Sequence, residues 1–82
     1  MTIMMAGMEG CGWCTKAEAL CSDKNVCETS QILKCNGGDS SHPVCQNKEI
    51  TGFPTLVDYD STSGNVKILQ SGYTEDMWTK YK

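Results

Sequence analysis

Apolar and polar positions along the chain predict a small α/β fold that begins with a strand. Residues 3–6 form a continuous apolar run, which is typical of a central strand covered on both faces. Over residues 12 to about 22, apolar side chains recur at helical spacing, with Lys16 and Glu18 on the polar side. The pattern therefore predicts a helix directly after the first strand. The apolar positions of this helix are Cys14, Ala17, Ala19, Leu20 and Cys21.

Beyond this helix the pattern predicts a second strand and then a second, short helix. Residues 31–35 are largely apolar and predict the strand, which a glycine-rich polar turn ends. Ser40 or Ser41 is a candidate N-cap for a helix that places Pro43 in its first turn and runs to about residue 49.

An antiparallel hairpin and a last helix complete the predicted order. Residues 55–59 and 66–69 flank a polar loop around Gly64, which favours a pair of hairpin strands. Thr74 is expected to cap a final helix, whose apolar side chains are Met77, Trp78 and Tyr81. The sequence thus predicts a single α/β domain over residues 1–82, with the element order β-α-β-α-β-β-α.

The composition is unusually rich in cysteine, which narrows the chemistry to be expected. The 82 residues include six cysteines, far above average usage, so disulfides, metal binding or redox chemistry are expected. The formal net charge is −3, and all seven basic residues are lysines, which leaves no bidentate guanidinium clamp for phosphate. We therefore expect no nucleic-acid partner.

The lengths of the apolar runs bear on membranes and on the compartment. No run approaches the roughly 18–20 residues that span a bilayer, so no membrane partner is expected. The run at residues 3–6 is too short for the core of a signal peptide, and no basic residue precedes it. We expect a soluble monomer that either works in the cytoplasm, where it is made, or is a part excised from a longer exported protein.

Two cysteines at the start of the predicted first helix are the main candidates for chemistry. Cys11-Gly12-Trp13-Cys14 places two thiols within one helical turn, where a reversible disulfide can close. At a helix start, backbone amides and the helix dipole stabilise a thiolate. A zinc half-site and an inert staple are the alternatives. Zinc would need an irregular site, because there is no second Cys-x-x-Cys and the lone His42 precedes a proline.

A second candidate element is Thr51-Gly52-Phe53-Pro54-Thr55, later in the chain. An apolar residue followed by proline, just before a predicted strand, indicates a fixed backbone kink. Because few X-Pro bonds are cis, the residues by themselves also fit an ordinary trans turn.

In this order, the two motifs resemble the thioredoxin-like superfamily over nearly the whole chain. The resemblance implies a minimal, glutaredoxin-sized thioredoxin-like fold, with a four-stranded mixed sheet flanked by helices. It implies that Cys11 is the nucleophile, that Cys14 is the resolving thiol, and that a cis-proline loop faces them. Substrate would then bind against residues of both motifs, namely Gly12, Trp13, Phe53, Pro54 and Thr55.

The remaining cysteines look like those of the thioredoxin-like domain of vitamin K epoxide reductase homologues. In that domain a cysteine ending the second strand faces one on the following helix, ahead of a Gly-aromatic-Pro-Thr segment. The resemblance implies a Cys35–Cys45 disulfide, with an unpaired, buried Cys45 as the alternative. For Cys21 and Cys27, a local bridge and a free, buried Cys21 both stay open.

The implied function is a protein thiol–disulfide oxidoreductase with no cofactor besides its redox-active disulfide and no metal. Its partners would be protein thiols and disulfides, and a dithiol reductant or an oxidase. Thioredoxins carry a buried aspartate where this chain has Met5, so Glu9 and Glu18 become candidate proton acceptors, with solvated charges as the alternative. The alternative functions are a glutaredoxin-like enzyme with glutathione as co-substrate, and a disulfide-stapled interaction module without turnover.

Overall fold

A computed structural model describes residues 2–81 as a four-stranded mixed sheet with helices against one face. This agrees with the predicted α/β class. No helix in this part of the chain has the length and apolarity to cross a membrane. The elements in chain order are β1 (Thr2–Gly7), α1 (Gly12–Asp23), a 3₁₀ turn (Thr29–Gln31), β2 (Ile32–Lys34), β3 (Thr55–Tyr59), β4 (Val66–Ser71) and α2 (Met77–Lys80).

The strands lie in the order β2-β1-β3-β4. β1 pairs with β2 in parallel, so α1 provides the crossover between them, and the β1–β3 and β3–β4 pairs are antiparallel. Met5 of the central strand faces Ile32 on one side and Leu56 on the other. Its place between two strands explains why β1 is a continuous apolar run, and the four predicted strands are confirmed.

The sheet separates two apolar clusters. On one face, α1 and α2 cover a cluster that includes Met5 and Leu56. On the other face, Val44 from the segment between β2 and β3 packs against Leu33 and Val57. The predicted first helix is confirmed, with Cys14, Ala17 and Cys21 on its buried side. Ala19 is exposed instead, because it projects about 200° around the helix from Ala17.

The predicted second helix, at residues 40 to about 49, is wrong. The chain there forms successive turns, with hydrogen bonds such as His42 N–H to the Asp39 carbonyl. Pro43 has no N–H, and the N–H of Val44 donates to Nδ1 of His42 at 3.1 Å instead of to a backbone carbonyl. These local bonds compete with the helical ladder, so the segment covers the sheet without a helix.

The last helix begins later than predicted. Asp76, and not Thr74, precedes its first residue, because residues 74–77 form a separate turn in which the Met77 N–H donates to the Thr74 carbonyl at 3.2 Å. The Thr74 hydroxyl accepts a hydrogen bond from Gln70 Nε2 at 3.0 Å. Met77 and Trp78 are buried as expected. The Trp78 indole N–H donates to the Ala17 carbonyl at 2.9 Å and so fixes α2 on α1.

Two disulfides close local loops. Cys35 and Cys45, with Cα atoms 5.1 Å apart, are bonded as the resemblance implies. Cys21 is bonded to Cys27, with Cα atoms 5.0 Å apart, so the local bridge is the alternative that the structure contains. In the chain-entropy description, each loop of this size stabilises the fold by about 2–3 kcal/mol, which is substantial for so small a core.

Candidate active site

The Cys11 thiol lies where β1 ends and α1 begins. Cys11 is the N-cap of α1, with φ −83° and ψ 115°, and its carbonyl accepts the first helical hydrogen bond, from Thr15 N–H at 3.0 Å. Its Sγ accepts the backbone N–H of Cys14 at 3.2 Å. One of the free amides of a helix start is thus aimed at the sulfur, which favours a negative charge there. The side chain is half-buried, so reagents can reach it.

Cys14 lies one turn further along α1 and is fully buried. It is also a free thiol. Burial, and then a hydrogen bond to Cys11, raise the pKa of the Cys14 thiol to about 11. The two cysteines therefore differ in their access to solvent, and Cys14 keeps its proton at neutral pH.

The loop before β3 meets Cys11 from the other side. The Phe53–Pro54 peptide bond is cis, and the Cys11 thiol donates towards the Phe53 carbonyl, with 3.9 Å from Sγ to O. The loop is held in place by two bonds. Thr55 Oγ1 donates to the Gly52 carbonyl at 2.6 Å, and the Pro54 carbonyl accepts a backbone N–H at 2.7 Å from Gly72, the residue after β4. The structure thus brings the two predicted motifs together.

Trp13 and Gly12 give the site an open side. The Trp13 side chain is 57% exposed, and Lys16 Nζ lies 4.6 Å from its ring centroid. Its ring packs against that of Tyr73, with centroids 5.5 Å apart and the planes tilted by 31°. Gly12 is exposed, and a Cβ placed on it would meet no atom within 4 Å. An extended chain can therefore approach the Cys11 thiol along this side.

Tyr73 is a site residue that the sequence motifs do not include. It comes within reach of Trp13 because the Gly72 N–H binds the Pro54 carbonyl and so ties the end of β4 to the proline loop. The sequence feature that could have identified Tyr73 is the register of the β3–β4 hairpin. Pairing of Thr55 with Ser71 places the residues just beyond β4 beside those just before β3.

Of the two candidate proton acceptors, Glu18 is the one at this site. Its Oε1 pairs with Lys34 Nζ at 2.6 Å, and the two side chains are only 28% and 30% exposed. Glu18 lies one helical turn after Cys14, and its negative charge adds to the rise of the Cys14 pKa. Glu9 is exposed and lies over the Gly37 turn. Met5, at the position of the thioredoxin aspartate, is buried and apolar.

The position of Gly7 places the ion pair on the same face of the sheet as the buried thiol. Gly7 is paired with Lys34 in the parallel β1–β2 ladder, so side chains at these two positions project to the same face of the sheet. A Cβ on Gly7 would lie 3.5 Å from Cys14 Sγ. Lys34 and Cys14 therefore lie on the same face of the sheet, where Lys34 Nζ pairs with the Glu18 carboxylate.

The fold thus brings three groups together: the half-buried Cys11 thiol with its amide donor, the buried Cys14 thiol one helical turn later, and the Phe53 backbone carbonyl. A carboxylate with a lysine partner lies one turn behind the buried thiol. This set of groups is suited to thiol–disulfide exchange. Comparisons of the chain with protein-family models, curated proteins and solved structures found no match.

Proposed function

We propose that the chain is a protein thiol–disulfide oxidoreductase of the thioredoxin-like superfamily. The observation that carries the proposal is the setting of Cys11, whose Sγ accepts an amide hydrogen bond at 3.2 Å and lies 3.9 Å from the Phe53 carbonyl. The amide favours the thiolate, which is the attacking species. The carbonyl offers a hydrogen-bond acceptor to the backbone of an extended substrate next to the thiol.

The sheet supports a minimal thioredoxin-like fold. One parallel pair joined by α1, followed by an antiparallel hairpin on the other side of β1, is the strand arrangement that this fold implies. The connection between β2 and β3 departs from it, because disulfide-linked turns take the place of the crossing helix.

In the first step, the Cys11 thiolate attacks one sulfur of a substrate disulfide. A bond forms between that sulfur and Cys11 Sγ, the substrate S–S bond breaks, and the other substrate sulfur leaves as a thiolate that takes a proton from water. The amide of Cys14 holds the Cys11 sulfur for this attack.

In the second step, Cys14 releases the substrate. Its thiol gives its proton to Glu18, Cys14 Sγ attacks Cys11 Sγ, and the bound substrate sulfur leaves as a thiolate. Two electrons have then passed from the Cys11–Cys14 pair to the substrate, and the same steps in reverse oxidise a substrate dithiol. With a pKa of about 11, only about one Cys14 in ten thousand is ionised at pH 7, so a nearby proton acceptor should accelerate release.

Catalysed reduction of the insulin interchain disulfides by a dithiol tests this proposal directly. The parent protein should accelerate the reaction, and Cys11→Ser should reduce the rate to that of the dithiol alone. Activity only on a glutathione mixed disulfide would instead identify the glutaredoxin-like alternative.

The stapled interaction module is a second candidate because of one observation. Trp13 is the exposed large hydrophobic side chain among residues 2–81, and it packs against Tyr73 to form an aromatic surface. Absence of turnover with both insulin and glutathione mixed disulfides, in protein whose Cys11 thiol is intact, would favour this function over the enzyme.

A further inference from the structure

The loop between β1 and α1 is held from outside by the side chain of Asn36. The Asn36 Oδ1 accepts the backbone N–H of Glu9 at 2.8 Å. Its Nδ2 donates to the Glu9 carbonyl at 3.1 Å. One side-chain amide thus binds both polar backbone groups of one loop residue, which fixes the orientation of the loop as well as its distance from β2.

The residue that Asn36 holds lies two positions before Cys11. Between them, Gly10 has φ +83°, a conformation that favours glycine, and the Cys11 N–H reaches back to the Met8 carbonyl at 3.4 Å. The loop is therefore a tight turn that sets the path of the chain into α1. A displacement at Glu9 is passed to Cys11 through only one intervening residue.

Asn36 is itself well anchored. It directly follows Cys35, whose N–H donates to the Gly7 carbonyl at 2.8 Å and whose sulfur is bonded to Cys45. After it, the Gly37 N–H donates to the Lys34 carbonyl at 3.0 Å and closes the turn. Asn36 therefore belongs to a turn that is fixed by bonds before and after it in the chain. Its side-chain amide can for this reason restrict the movement of the Cys11 loop.

We propose that Asn36 is a positioning residue for Cys11. By holding the backbone of Glu9, it keeps the Cys11 sulfur aligned with the Cys14 amide and with the Phe53 carbonyl. Asn36 touches neither sulfur and acts through the loop. Its effect on turnover rests on the proposed oxidoreductase function, whereas its effect on the reactivity of the Cys11 thiol does not.

Three variants test the proposal. Asn36→Ala removes both bonds to Glu9, and Asn36→Asp keeps an acceptor for the Glu9 N–H but loses the donor to its carbonyl. Asn47→Ala is the matched control, because it also removes a side-chain bond to an exposed backbone amide, that of Glu49 at 2.8 Å, in a turn outside the loop between β1 and α1.

The measurements are the alkylation rate of Cys11 at pH 7, the reduction potential of the Cys11–Cys14 pair, and hydrogen exchange of the Glu9 amide. Asn36→Ala should slow alkylation about threefold to tenfold, the effect of two solvent-exposed hydrogen bonds. It should also make the potential more negative, because the reduced thiolate loses stabilisation. For Asn36→Asp, the alkylation rate and the potential should lie between those of Asn36→Ala and the parent. For Asn47→Ala, both should equal those of the parent.

The proposal is overturned if Asn36→Ala speeds exchange of the Glu9 amide while Cys11 alkylation and the potential stay at parent values. It is also overturned if Asn36→Ala and Asn47→Ala change the Cys11 rate equally, since that is a general loss of stability. If the parent does not reduce insulin but Asn36→Ala and Asn36→Asp still slow Cys11 alkylation in this order, the proposed function fails and the positioning role stands.

Discussion

The two ends of α1 each carry a pair of cysteines, and the pairs are in different states. At the first end Cys11 and Cys14 are thiols, whereas at the last end Cys21 is bonded to Cys27. Cys14 and Cys21 lie on the same buried face, two turns apart. The pairs differ in the place of the outer partner, since Cys11 caps the helix and Cys27 lies beyond it in the chain that leads to β2.

This difference shows how position on a helix decides what a cysteine can do. At the first end, one backbone N–H group without a helical partner, that of Cys14, donates to the Cys11 sulfur and favours its thiolate. The last end of a helix is the negative end of its dipole, which does not stabilise a thiolate. We therefore expect exchange at Cys11–Cys14 and a static bridge at Cys21–Cys27.

The largest expected effect is in covalent trapping of substrate. Cys14→Ser should leave Cys11 able to attack but unable to release, so mixed disulfides accumulate and disappear on addition of dithiol. Cys11→Ser should trap almost nothing, because Cys14 is buried. Mass spectrometry of protein incubated with a disulfide substrate measures both. Equal trapping by the two variants would break the contrast between Cys11 and Cys14.

The second expected effect is a difference in pH dependence within the reactive pair. Burial and the hydrogen bond to Cys11 raise the pKa of the Cys14 thiol to about 11. The fraction of Cys14 present as thiolate should therefore grow about tenfold per pH unit up to about pH 11. Alkylation followed by peptide mapping should therefore show Cys14 unmodified at pH 7 and increasingly modified towards pH 11. Cys11, which is half-buried, should react first. Equal rates for the two thiols at pH 8 would contradict this asymmetry.

A smaller effect is expected from Glu18, whose carboxylate lies one helical turn after Cys14. Glu18→Gln should slow release of the mixed disulfide by about tenfold or more at pH 7, because Cys14 loses its proton acceptor. The deficit should shrink as pH rises, since hydroxide can then take the proton. Stopped-flow measurement of substrate release gives the rate, and Glu9→Gln, at an exposed position, is the matched control. An unchanged rate for Glu18→Gln would leave Glu18 with only a structural role.

The smallest expected effect on activity is at the other end of α1. Replacing Cys21 and Cys27 by alanine should reduce the free energy of unfolding by about 2–3 kcal/mol, and the Cys11 alkylation rate should stay near that of the parent. Denaturant unfolding and alkylation at pH 7 measure the two quantities. A large loss of Cys11 reactivity in folded protein would show that the two ends of α1 are coupled.

Elements with a strong local pattern could be predicted from the sequence. β1 and α1 are confirmed: β1 is a continuous apolar run that ends at a glycine, and α1 has apolar residues at helical spacing after an N-cap. The helix at residues 40 to 49 is wrong because the signals of Ser40, Ser41 and Pro43 are local. Two features compete with these signals: the His42 side chain, which accepts the N–H of Val44 two residues later, and the Cys35–Cys45 bond, which ties the segment to the end of β2.

The candidate site likewise contains residues that the sequence predicts and residues that it does not predict. The sequence motifs themselves indicate Cys11, Cys14 and the Phe53–Pro54 loop, because their chemistry depends on residue types at short spacing. The roles of Lys34 and Asn36 depend on the parallel pairing of β1 with β2, which brings residues distant in sequence to one edge of the sheet. Such contacts follow from topology, and the sequence alone does not fix them.

The two disulfides also bear on how the chain reaches its fold during synthesis. Their cysteines are separated by 6 and 10 residues, and each bonded cysteine has as its partner the next bonded cysteine in the chain: 21 with 27, and 35 with 45. The two loops do not overlap, so Cys21 and Cys27 are both present before Cys35 has emerged. Short loops close fastest, so proximity along the chain favours the native pairing over its competitors while β3 and β4, which complete the sheet, are still being made.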